Sequence, residues 1–248
     1  MKLKFVINKE FDIEMTLHMH SLHMTSVIES EAISRKSLEE QYKKELPKLE
    51  SKRKEFQLEW DKINDKFSRY VEKVTGYNWF YPEYECVLSF NIRGASNWGK
   101  VIWGDIPKIV RGYDVPTNSW YFTRITAHEL ILAHYFEIYR RYYDKEGLKD
   151  GQVWALAEIA AFALTSLTPE AKTFWSNTEY YTNHNYPQIV ELQNELKSTF
   201  IKTAAKGDFD SYIKKRIELA RRYSDMDPLK AVPSKEDKKE RTKSKSKS

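Results

Sequence analysis

His128 and Glu129 open the heptapeptide "HELILAH" (128–134). A histidine followed by a glutamate on a helix can bind a metal ion and activate a water molecule beside it. Whether it does so depends on where a second imidazole falls. At about 100° per residue, a side chain four positions on returns to within about 40° of His128, close enough for two rings to grip one zinc ion. A side chain six positions on lies about 240° round the helix. Leu132 occupies the first of these positions and His134 the second, so a regular helix points His134 away from His128. A partner for His128 comes from further along the chain. Glu158 is the only charge in "QVWALAEIAAFALTSL" (152–167), and a carboxylate in so apolar a helix is costly unless paired, protonated or bound to metal. One loop separates the two segments, so an antiparallel helix pair brings Glu158 to His128.

A second cluster, His18, His20 and His23 in "LHMHSLHM", has three imidazoles within six residues. No helix or strand period puts all three on one face with a carboxylate nearby, so an exposed His/Met helix start is the expectation there.

The elements that must position these groups are mostly helical. "KLKFVIN" alternates as a strand does, and Asp12 is a candidate cap for a helix over "KEFDIEMTLHMHSLHM". From about Glu31 to Val74 the charged sequence reads as helix, interrupted at Pro47. Phe56, Trp60, Ile63, Phe67, Tyr70 and Val74 then recur at spacings of four and three as one continuous apolar stripe. "YECVLSFNI" (84–92) is rich in strand formers, and "RGASNWGKVIWGDI" reads as a hairpin or sheet edge. Asn118 or Ser119 can cap the helix of His128, which runs to about Tyr143, with Gly147 and Gly151 as breakers. The apolar helix of Glu158 stops before Pro169, and two amphipathic helices follow at about 188–205 and 209–224. The fold class is α+β, mostly helical, with a small sheet preceding the motif helix and extra helices at both ends.

"AHELILAHYF" followed by "WALAEIAAF" resembles the zincin metallopeptidases of the gluzincin type. The strands just before the motif helix are similar to the small sheet whose edge cradles substrate in those proteins. The resemblance covers roughly residues 80 to 190. It implies zinc as cofactor and a peptide or protein as substrate or partner. Carried over residue by residue, His128 is the first zinc ligand, Glu129 the general base and Glu158 the third ligand. Leu132 departs from the pattern at the second ligand, which makes the site degenerate and peptide hydrolysis weak or absent. His184, in "YYTNHNYPQ" after the second helix, is the candidate replacement ligand. Tyr181, with Tyr180 and Tyr186, is a candidate for binding substrate or steadying an oxyanion. Without metal, Arg124, four residues before His128 and on the same side, is expected to join His128 and Glu158 in a network that holds two helices in register. A non-catalytic scaffold that binds a peptide or protein is the alternative function.

The organisation expected is an N-terminal strand and helical region (1–75), a zincin-like core with C-terminal helices (76–230) and a disordered Lys/Ser-rich tail (231–248). The 35 aromatic residues (12 Phe, 7 Trp, 16 Tyr) supply ample apolar surface for a core. The single cysteine, Cys86, excludes an internal disulfide and a Cys-based zinc site. Residues 233–248 hold seven Lys/Arg and three Asp/Glu, so they carry +4 of the net +5. The body is nearly neutral, and nucleic acid is expected as a partner only through the tail. No apolar run matches a signal peptide or a membrane span, so a cytoplasmic protein with no membrane partner is expected.

Overall fold

The computed structural model describes residues 1–24, 27, 33–96, 106–114, 120–179, 187–223 and 226. The chain is α+β and mostly helical, around one small mixed sheet. Its elements run β1 (Lys2–Val6), α1 (Lys9–Ser21), α2 (Arg35–Asp61), α3 (Asn64–Thr75), β2 (Glu83–Ser89), β3 (Gly94–Ser96), β4 (Lys108–Gly112), α4 (Trp120–Ile138), α5 (Asp150–Leu164), α6 (Pro187–Lys202) and α7 (Phe209–Ala220). The strands lie in the order β1-β2-β4-β3, with β1, β2 and β4 parallel and β3 antiparallel to β4. The N-terminal strand thus shares a sheet with strands eighty residues and more downstream. One hydrophobic cluster likewise draws residues from Leu3 to Met226.

Strand alternation sorts the sheet into two faces. Phe5 pairs with Cys86 and Cys86 with Ile109, and these three enter the main core with α2 to α5. On that side Phe5 meets Phe56 of α2 and Phe122 of α4, with ring centroids 5.8 Å away in each case. Val110, one residue on, faces the other way and packs with Met15 and Met19 of α1.

Several elements differ from the sequence expectation for identifiable reasons. Pro47 lies inside α2 without ending it. The apolar stripe is not one continuous helix but breaks between Asp61 and Asn64. The break serves the edge of the sheet. Asn64 accepts from Trp60 Nε1 (2.9 Å) and from Leu3 N (3.2 Å), and donates to Met1 O (2.9 Å). Gln57 accepts from Phe5 N (2.9 Å) and donates to Leu3 O (3.0 Å). Two amides therefore supply the bonds that a further strand would make to β1, which closes that edge to pairing. Gly76, at φ 73°, caps α3 in the left-handed conformation that glycine adopts without strain. Gly147 closes the turn after α4 in the same way, whereas Gly151 lies inside the first turn of α5. Strand β4 had no separate sequence signal. The proposed caps Asn118 and Ser119 and the tail 231–248 lie outside the described residues. Among the described residues no helix is long and apolar enough to cross a membrane.

The cap of α1 is Asn8, whose side chain accepts from Phe11 N, and not Asp12. Asp12 is instead buried within the helix and accepts from Tyr42 Oη at 2.6 Å. Burial pushes its pKa up to about 6, although hydrogen bonds from its neighbours pull the other way. A carboxyl whose folded pKa exceeds its unfolded value stabilises the fold below the unfolded pKa, near 4, and loses that contribution as pH rises through the folded one. The wild type should therefore lose about 2–3 kcal/mol at this group between about pH 4 and pH 7. Asp12→Asn, which keeps an acceptor for Tyr42, should not. Denaturant unfolding of both proteins across that range checks this, and parallel pH profiles would refute it.

Candidate active site

Helices α4 and α5 pack along much of their lengths. Small residues are frequent in α5: Ala155, Ala157, Ala160, Ala161 and Ala163 are all fully buried. Small side chains let two helix backbones approach closely, which puts opposed polar groups within bonding reach. His128 Nε2 lies 3.0 Å from Glu158 Oε2. Toward a carboxylate the ring N–H is the donor. The His128 side chain is 8 % exposed and that of Glu158 13 %, so water screens the contact little. Phe162, one turn beyond Glu158, covers the imidazole with its ring centroid 4.6 Å away.

The electrostatics of His128 are a contest. Burial acts to lower its pKa, but the charge and hydrogen bond of Glu158, with Glu129 nearby, outweigh burial, and the net shift is upward. His128 Nδ1 is buried and has no hydrogen-bond partner among the described residues. A metal-ligating histidine ordinarily has its second nitrogen held by a carboxylate or carbonyl. Among the described residues His128 has no such support.

Glu129 points to the sheet. Its carboxylate is in hydrogen-bond contact with Ser96 Oγ, which also lies 2.9 Å from the Glu129 carbonyl oxygen. Register explains this meeting. Ser96 and Gly94 of β3 pair with Ile109 and Arg111 of β4, and paired residues share a face. That face is the one covered by α4, so Gly94, Ser96 and Arg111 all converge on Glu129. A Cβ at Gly94 would stand 2.6 Å from Glu129 Oε1 and 3.2 Å from Arg111 Nη1. Only a glycine leaves room for this carboxylate. Arg111 is buried, donates from Nη1 to Arg93 O at 2.8 Å, and leaves Nε and Nη2 without partners among the described residues. Burial raises the pKa of Glu129, and the charge of Glu158 adds to this, while His128, Ser96 and Arg111 oppose it without reversing it. Two basic groups, His128 and Arg111, thus lie among two acidic ones, Glu129 and Glu158.

Leu132 is 4 % exposed and belongs to the main apolar core. His134 points away from His128, as helical geometry requires, and its ring stacks 4.5 Å from that of Trp79. Burial lowers its pKa to about 3, so it remains neutral. Arg124 is directed along α4 to the segment after α5, where it donates to Ser166 Oγ (2.7 Å), to Asn177 O (3.1 Å) and to Glu179 O. Its bonds tie down that segment, whereas Glu158 is engaged by His128. His184 and Tyr181, with Tyr180 and Tyr186, lie outside the described residues. His18, His20 and His23 are exposed at the end of α1, not at a helix start. Ser96, Arg111 and Gly94 escaped the sequence reading because only strand pairing brings them to Glu129.

Zinc can be tested against this donor set. Metal–ligand bonds of about 2.1 Å at a tetrahedral angle require the N and O donors to be about 3.4 Å apart. The His128–Glu158 separation is within a few tenths of that. A protein zinc centre needs at least three protein ligands, however. Among the described residues no group of three His, Cys, Asp or Glu side chains could hold a metal ion. The described residues supply two ligands and do not complete a zinc site. Comparison with known proteins finds no matching family model, no matching curated protein and no matching solved structure.

If the pair holds α4 against α5, its partners must be strongly coupled. Glu158→Leu alone should cost about 3–5 kcal/mol, because it leaves a buried imidazole unpaired. The double variant His128→Phe/Glu158→Leu should cost less than the sum of the singles, with a coupling of about 1–3 kcal/mol. A double-mutant cycle from denaturant unfolding measures this, and additive losses would show that the contact contributes nothing to the seam.

Proposed function

We propose that this chain is a zincin-like, metallopeptidase-like protein whose zinc centre is incomplete and whose peptide hydrolysis is weak or absent. The observation that carries this reading is the closure of His128 onto Glu158 beside a buried Leu132. The first and third ligand positions of the motif face each other within reach of one ion, and an apolar side chain fills the place of the second. The antiparallel edge strand β3, laid against the motif helix with Ser96 on Glu129, supports the zincin-like part. The Glu129 carboxylate, general base by resemblance, is occupied by Ser96.

A second reading, a non-catalytic scaffold for a peptide or protein, draws on the two edges of the sheet. Gln57 and Asn64 close the β1 edge, whereas β3 has a ladder partner on one side only among the described residues. Peptides bind open edges as an added strand. Both readings retain a peptide along β3 and differ in whether any bond is cut.

Purified wild-type protein should cleave casein or a peptide library negligibly, with or without added zinc. Leu132→His places an imidazole one turn from His128 and completes a three-ligand set. Without metal the variant should lose about 1–3 kcal/mol, from a buried ring left unpaired. Zinc should then raise its thermal midpoint and a chelator should reverse the gain, with a much smaller response in the wild type. Robust chelator-sensitive cleavage by the wild type would overturn the degenerate reading. A variant that is destabilised and deaf to zinc would overturn the zincin-like one.

A further inference from the structure

Arg216 of α7 is fully buried, at 0 % exposure, and none of its three side-chain nitrogens has a hydrogen-bond partner among the described residues. Its guanidinium lies over two aromatic rings. The ring of Tyr135 in α4 lies 4.5 Å from its central carbon and that of Tyr212, one turn earlier in α7, lies 4.7 Å away. Ring contact attracts the cation but leaves its N–H donors unmet. The hydroxyls of Tyr135 and Tyr212 are likewise buried without partners among the described residues. Burial raises the pKa of both phenols, Tyr212 to about 12, so both remain O–H donors.

Every unmatched group in this cluster can donate, and the one formal charge is positive. An arginine cannot shed its proton to escape burial. A buried, unpaired cation is among the least favourable groups a protein interior can hold. What resolves all of these at once is an acceptor carrying one negative charge. We propose that the junction of α4 and α7 is a binding site for a small monoanion of the halide class, held by the guanidinium rim of Arg216 and the hydroxyls of Tyr135 and Tyr212. A single negative charge neutralises Arg216, whereas a dianion would leave a buried excess. The site is separate from the His128–Glu158 contact: Tyr135 lies two turns further along α4, about 10 Å away.

The test is thermal unfolding of the full chain as chloride replaces gluconate at constant ionic strength. The wild-type midpoint should rise saturably with chloride, by about 5–10 °C at a hundredfold excess over Kd. Arg216→Met should abolish the rise, and Tyr135→Phe or Tyr212→Phe should weaken it. Arg222→Met, at an exposed position in the same region, should leave it intact. A wild type indifferent to the anion would overturn the proposal, as would an Arg216→Met protein with an undiminished response, which marks a general salt effect. Should Arg216→Met fail to fold, crystals of the wild type grown in bromide decide the matter. An anomalous peak at the rim of Arg216 supports the site, and its absence there refutes it.

Discussion

The bond between His128 and Glu158 closes the seam between α4 and α5, and much of the molecule is arranged so that it can form. Neither helix could carry its polar group alone, since each lies in an apolar environment where an unpaired ionisable side chain is costly. Phe162 covers the imidazole, and Leu132 fills the adjacent turn with apolar volume. The separation of the two groups nearly fits a metal ion, but the described residues around them complete no metal site.

Charge balance extends this logic to the sheet. Glu129 follows His128 in the chain but faces a different layer, where Ser96 and Arg111 meet it across the face of β3 and β4. Gly94 supplies the missing volume that lets the carboxylate approach the strand. The arrangement is a compact set of opposed charges shielded from water, and such a set favours one geometry strongly because each member has few alternatives. A site of this kind holds its shape well.

The fold holds two unlike solutions to a buried arginine. Arg111 sits near carboxylates and a carbonyl, whereas Arg216 lies over two aromatic rings with its N–H donors unmet among the described residues. Two edges of one sheet show a similar contrast, with β1 closed by side-chain amides and β3 placed beside the motif helix.

The periods of apolar residues identified most helices, and the solitary Glu158 in an apolar run was enough to anticipate its meeting with His128. Helical geometry alone also told that His134 would point elsewhere, because angular spacing is a local property of the backbone. Other features depended on partners distant in sequence. The break before Asn64 answers a need of β1, more than sixty residues earlier, and Asp12 is drawn inward by Tyr42 in place of capping its helix. Ser96 and Arg111 join the site only through strand register, and Arg124 leaves the side of His128 because the carbonyls of Asn177 and Glu179 come within its reach. Residue type and spacing thus determined which groups had to be satisfied. Tertiary structure decided with what, since a buried polar group takes the partner that folding brings nearest, and that partner need not be near in the chain.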